Sequence, residues 1–174
     1  MTTADAASGV VARVSLPPAL ETIRRRHDRA AASGAPAHVT LLFPFMPMTR
    51  LGPTVRRDLA KIAAAVPAFD VAFARVGRFP GAIYLVPDPS APFEALTTAI
   101  VARYPAFPPY EGAFAEIIPH LTLVESATAP LDAIAKSAVR HLPFERHVAA
   151  IELLAESGDG RWHSHWRIPL KVRP

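Results

Sequence analysis

The chain contains no cysteine among its 174 residues, which excludes disulfides, thiolate catalysis and cysteine-ligated metal centres. It has no run of about 18 apolar residues, so no segment reads as a transmembrane helix. Its first dozen residues, MTTADAASGVVA, lack the basic start and long apolar core of a signal peptide. The expectation is a soluble, cytoplasmic, monomeric protein. There is also no low-complexity segment, no domain-separating linker and no acidic cluster of the kind that gathers metal ions. With 51% hydrophobic residues the chain can bury one core and is short for two, so residues 1–174 are expected to form a single domain. A net charge of +4 and a pI near 10.0 favour anionic partners without demanding nucleic acid. The 19 prolines fall mostly between predicted elements, where they punctuate loops.

What is present, and present twice, is a tripeptide: His38-Val39-Thr40 in PAHVTLLFPF and His120-Leu121-Thr122 in IPHLTLVES. A random chain of this composition holds roughly 0.4 His-x-Thr tripeptides, so one copy alone means little. Both copies, however, follow a proline, carry an aliphatic middle residue and precede a leucine. Each opens an apolar run and reads as the start of a β-strand.

The sequence after each copy repeats as well. The first leads to a helix in GPTVRRDLAKIAAAV, with Pro53 at its start and Val55, Leu59, Ile62 and Val66 at helical spacing, then to strands in FDVAFARVGRF and AIYLVP. The second leads to a helix in APLDAIAKSAVRHL, with Leu131, Ile134, Ala138 and Leu142 on one face, then to strands in FERHVAAIELLAES and RWHSHWRIPLKV. This strand–helix–strand–strand order, met twice, indicates an internal duplication. Outside it, residues 10–16 predict a first strand and residues 17–32 one helix with Leu20, Ile23 and His27 on one side. FEALTTAIVARY predicts a further helix with Phe93, Leu96 and Ile100 for burial, and PAFPPYEGAF a loop before the second motif. Pro44 fits the end of the first motif strand.

Strand side chains alternate, so the His and Thr of each motif share a face while Val39, Leu41, Phe43 and Phe45, like Leu121 and Leu123, take the other. Two such strands side by side aim two imidazoles and two hydroxyls at one small volume. One neutral histidine can remove a proton from an attacking oxygen while a protonated one supplies the departing oxygen. The threonine hydroxyls can donate to non-bridging phosphate oxygens. Such a site calls for no metal or other cofactor.

These residues resemble the two-histidine (2H) phosphoesterases, which include the 2′-5′ RNA ligase-like proteins and cyclic phosphodiesterases. HVTLLFPF, GRFPGAIYLVP and PPYEGAF…PHLTL are similar to the bacterial ligase-like branch, and the resemblance covers most of the chain. It implies an α+β, bilobal fold: two pseudo-twofold-related antiparallel lobes, helices outside, and a central cleft. It also implies hydrolysis or formation of a phosphodiester at a ribose 2′,3′ end, with His38 and His120 as the acid/base pair and Thr40 and Thr122 as phosphate-binding hydroxyls. One departure stands out: several relatives have an arginine two residues after the first motif threonine, where this chain has Leu42. The expected partner is a nucleotide or RNA end. The alternatives are a binding module for RNA ends or phosphorylated metabolites, and a 2′-5′ RNA ligase.

Other residues are weighed beside the motifs. Among Phe43, Phe45, Phe79, Tyr84, Phe107 and Tyr110, most belong to the core, and Tyr84 and Tyr110 are the leading candidates for a cleft. Phe43 and Arg24 complete the substrate-binding candidates. Arg24, Arg25, Arg26 and Arg29 read as a solvated helix face, or as a patch that steers an anion. His163 and His165 share a strand face with Arg161 and Arg167, opposite Trp162, Ser164, Trp166 and Ile168. A zinc site there lacks a third ligand, and a solvated polar face is the simpler reading. His27, His141 and His147 read as surface residues without a partner.

Overall fold

The structure is a computed structural model that describes residues 6–172; residues 1–5 of the opening segment read above lie outside the described residues. The elements are β1 (Ser8–Arg13), α1 (Pro18–His27), α2 (Arg29–Ala32), β2 (His38–Leu42), α3 (Pro53–Ala65), β3 (Phe69–Phe79), β4 (Ala82–Asp88), α4 (Ala91–Arg103), β5 (Leu121–Glu125), α5 (Leu131–Val139), β6 (Phe144–Val148), β7 (Ala150–Glu156) and β8 (Trp162–Pro169), with short 3-10 turns at Met48–Arg50 and Pro109–Gly112.

The strands form an antiparallel sheet of eight in the order β6-β3-β4-β5-β2-β1-β7-β8. The two motif strands, β5 and β2, are its central pair, and four strands lie on each side of the line between them. The fold class is α+β, and the two lobes are halves of one continuous sheet. Most of the strands that follow a motif build the other motif's half; β6, at the far edge of the half that holds β5, is the exception. β3 and β4 extend from β5, whereas β7 and β8 extend from β2 through β1. The half that holds β5 is thus completed mainly by strands from after the first motif, and the half that holds β2 by β7 and β8 from after the second.

Why the helices form and where they dock follows from their apolar spacing. In α3, Pro53 occupies the first turn and Val55, Leu59 and Ala63 are buried at every fourth position, a stripe that packs on β8 and α4. In α4, Phe93, Leu96 and Ile100 are buried as their spacing predicts, against β2. Helix α5 buries Ile134 and Ala138 against β3 and β4. These faces join the strands' inward residues in one core that includes Val39, Leu85, Leu121 and Leu123. Pro44 lies just beyond β2, as a residue without an amide hydrogen requires.

Two expectations about boundaries are corrected. Residues 17–32 are two helices, because Asp28 is extended and its carboxylate accepts the Ala31 amide at 3.0 Å, capping α2. FERHVAAIELLAES is two strands that part at Ala149: β6 pairs with β3 at one end of the sheet and β7 with β1 at the other. No helix among the described residues is long and apolar enough to cross a membrane.

Candidate active site

Strands β2 and β5 meet through the antiparallel partners Val39 and Leu121, both fully buried. About that pair, His38 lies across from Thr122 and His120 across from Thr40. Directly opposed side chains in an antiparallel pair stand about 5 Å apart and diagonal ones within about 8 Å. The two imidazoles are therefore diagonal neighbours, with a threonine beside each. All four line one cleft of about 430 Å³.

The histidines are oriented alike. Nδ1 of His38 lies 2.7 Å from the Pro36 carbonyl, and Nδ1 of His120 lies 2.7 Å from the Ile118 carbonyl. A carbonyl only accepts, so Nδ1 carries a proton in each ring and Nε2 is left for a ligand. Their surroundings differ. Burial pushes His38 down to about 4; the Pro36 carbonyl opposes this, and the charges of Arg24 and His120 reinforce it. His120 is also lowered by burial, but the Ile118 carbonyl and the Glu125 carboxylate hold it up.

Two bulges decide which neighbours reach the cleft. In β2, Val11 pairs with Thr40 while Val10 pairs with Leu42, so Leu41 is the extra residue. The bulge sends Leu42 to the core side with Val10, both fully buried, and brings Phe43 into the cleft wall. Simple alternation had put Phe43 with the core residues. The correction makes it a cleft residue and leaves Leu42 unable to replace an arginine there. In β8, Ser164 pairs with Leu154 and Trp166 with Leu153, so His165 is the extra residue. Trp162 and Ser164 consequently share a face with cleft-lining Leu154, while Trp166 and Ile168 pair with core residues. The expectation that Trp162 and Trp166 share a face is overturned.

Trp162 is the aromatic cleft residue that sequence reading missed, along with the charged Asp28 and Glu125. Its ring meets Phe43 edge-on at 5.8 Å, and its amide donates to Ser33. An aromatic in a strand of unknown register gives no sign of this, because the bulge decides its face.

The other aromatic candidates divide. Tyr110 lines the cleft, shares a hydrogen bond with Thr40, and is anchored by its amide on the Phe43 carbonyl at 2.6 Å. Tyr84, across the ladder from Thr122, stacks on Phe79 at 4.3 Å and meets the His120 ring edge-on at 5.3 Å. Phe79 meets the same imidazole at 5.1 Å, so both rings of the Phe79–Tyr84 stack lie against His120. Phe45 and Phe107 pack together beside the core.

Arg24 departs from the solvated face expected of its cluster: it is 2% exposed and borders the cleft, whereas Arg25, Arg26 and Arg29 are exposed. Its one-turn spacing from Leu20 makes those two the buried residues of α1, in place of the expected stripe of Leu20, Ile23 and His27. His147 has a partner after all, the Asp70 carboxylate 2.6 Å away across the β3–β6 ladder. His163 reaches the Ser157 hydroxyl at 3.1 Å, and no group of three potential metal ligands occurs among the described residues.

A sheet whose central pair carries two mirrored His-x-Thr motifs in one cleft defines the class of a duplicated, two-histidine phosphoesterase-like fold. Solved structures with this architecture include TT0787 of Thermus thermophilus, with 17% identity, a TM-score of 0.61, and coverage of 97% of this chain and 100% of that one. Escherichia coli LigT is similar too: its complex with NADP+ gives 18% identity and a TM-score of 0.56 over 96% and 98% of the two chains, and its complex with 3′-AMP gives 17% and 0.53 over 95% and 98%. No curated protein sequence matches the chain significantly. The model of the 2′-5′ RNA ligase superfamily matches residues 12–160, and the chain belongs to that family.

Proposed function

We propose that this protein is a phosphodiesterase that hydrolyses a 2′,3′-cyclic phosphate or a 2′-5′ phosphodiester of a nucleotide or RNA end, with His38 as general base and His120 as general acid. The observation that carries the reading is the Val39–Leu121 register, which sets each histidine beside the other motif's threonine in one cleft. Its support in the relatives is that LigT has been solved with 3′-AMP, NADP+ and phosphate. Both lobes supply half of the site, so the chain works as one unit.

In the reaction, Nε2 of neutral His38 takes a proton from water as the water oxygen bonds to phosphorus. The bond from phosphorus to the ribose oxygen breaks, and that oxygen receives the Nε2 proton of His120. Thr40 and Thr122 donate to the non-bridging oxygens, where charge concentrates in the transition state. The product is a phosphomonoester for a cyclic substrate, and solvent returns the proton from His38 to His120. The lowered affinity of His38 for protons suits the base, and the carboxylate beside His120 suits the acid.

The test assays purified protein against 2′,3′-cyclic nucleotides and 2′-5′-linked dinucleotides, with and without chelator. His38→Ala and His120→Ala are each expected to lower kcat by about 10²–10⁴-fold while the protein stays folded. Full turnover in either variant sinks the assignment. Tight binding without product from the unmutated protein favours a binding module, and joining of RNA ends in preference to hydrolysis favours a ligase.

A further inference from the structure

The Arg24–Asp28 pair, spaced i, i+4 and straddling the end of α1, is buried beside the motif strands, with both residues under 4% exposed and the charges 3.5 Å apart. Arg24 Nη1 donates to the Ala35 carbonyl at 2.9 Å, and Nη2 donates to the Pro36 carbonyl at 3.3 Å. The Pro36 carbonyl is the same oxygen that receives the Nδ1 proton of His38. Asp28 faces the other motif: its Oδ1 accepts the Glu125 amide at 3.1 Å, at the end of β5, while Oδ2 accepts the Ala31 amide. One ion pair is thereby bonded to the anchor of the first histidine and to the strand that follows the second.

Such a pair is a poor device for stability alone. Removing two charges from water costs several kcal/mol, and well-packed apolar residues often replace a buried pair without loss. Here the cost is larger still, because Arg24 Nε is buried with no hydrogen-bond partner. Burial lowers the Arg24 pKa, and Asp28 and Glu21 oppose this.

We propose that Arg24 and Asp28 are positioning residues of the active site: Arg24 fixes the Pro36 carbonyl, which holds His38 in its Nδ1-protonated tautomer, and Asp28 ties β5 to the same strut so that both motifs keep one spacing. This rests on the phosphodiesterase reading for its importance to turnover, but the tautomer itself is a property of the free protein. Around His38 the other charged or titratable groups are Arg13 across β1, His120 and Glu125 from the β5 side, and Tyr110 from the loop before β5. None of these changes in the variants below.

The experiment is a ¹⁵N NMR titration of the histidine rings in the full chain, paired with kcat and KM for the best cyclic nucleotide. Arg24→Met leaves Asp28 buried and alone, so Arg24→Met with Asp28→Asn is the second variant; it removes both charges and keeps one carboxamide oxygen, able to accept the Ala31 or the Glu125 amide. In either folded variant we expect His38 to populate both tautomers and to titrate at higher pH, with kcat lower by roughly 10–100-fold, as for other groups that orient a functional imidazole, and KM changed less than about threefold. Arg24→Lys, which keeps the charge but loses the two-nitrogen fork, is expected to restore only part of the tautomer bias. An unchanged His38 tautomer and titration in the folded double variant overturns the proposal. If the unmutated protein turns over no phosphodiester, the phosphodiesterase reading fails, and the NMR result still decides the positioning role.

Discussion

Val39 and Leu121 are direct antiparallel partners at the centre of the sheet, and this contact between two fully buried aliphatic side chains creates the site on the opposite face. A shift of one residue in either strand would send a His-x-Thr pair into the core. Register and chemistry are therefore the same fact seen from the two faces of the strand pair.

The pH dependence of turnover follows from the surroundings of the two histidines. A base must be neutral, so activity rises as pH climbs through the His38 value, pushed down to about 4. An acid must be protonated, so activity falls as pH climbs through the His120 value, which lies below the ordinary 6.5. The kcat/KM profile is expected to be bell-shaped with its maximum between those limits. A stopped assay across buffers checks it; a maximum above neutrality contradicts the assigned roles.

Thr40→Val and Thr122→Val keep the side-chain shape and remove the hydroxyl. Each is expected to lower kcat by about 10²–10³-fold, the scale for deleting one donor to a developing oxyanion, with a smaller change in KM. Thr40→Val also removes the hydrogen bond shared with Tyr110, so it is expected to raise KM more than Thr122→Val does.

Gly77 faces Tyr84 across the β3–β4 ladder, and the Tyr84 ring occupies the place a Cβ at position 77 would take. Gly77→Ala is expected to cost about 1–3 kcal/mol, read by urea denaturation, because the ring cannot move without leaving Phe79 and His120. In a Tyr84→Ala background the same glycine substitution is expected to cost much less. Equal stability of Gly77→Ala and the parent protein contradicts the contact.

Trp162 and Phe43 form one wall of the cleft. If a base stacks there, Trp162→Ala is expected to weaken nucleotide binding by about 1–3 kcal/mol while inorganic phosphate binds as before. Isothermal titration with a nucleoside monophosphate and with phosphate separates the two.

Much of the fold was legible in advance because its signals are local. The apolar periodicity that spaces Phe93, Leu96 and Ile100, and the alternation of Phe69, Val71 and Phe73, reflect burial of one face and need no knowledge of what covers it. One missed boundary was decided by a single side chain, the carboxylate of Asp28 that caps α2 in the middle of an apparently continuous helix.

By itself, the sequence determined the four residues of the two motifs and the face they share, because a strand's period of two makes His38 and Thr40, or His120 and Thr122, point together in any context. The tertiary structure alone decided the rest. Bulges at Leu41 and His165 turned Leu42 away from the cleft and Phe43 and Trp162 into it, and an extra residue on one strand can be seen only against its partner. Burial of Arg24 among the carbonyls of Ala35 and Pro36 was equally invisible, since a cluster of arginines on a helix reads as solvent-facing until the chain folds back over one of them.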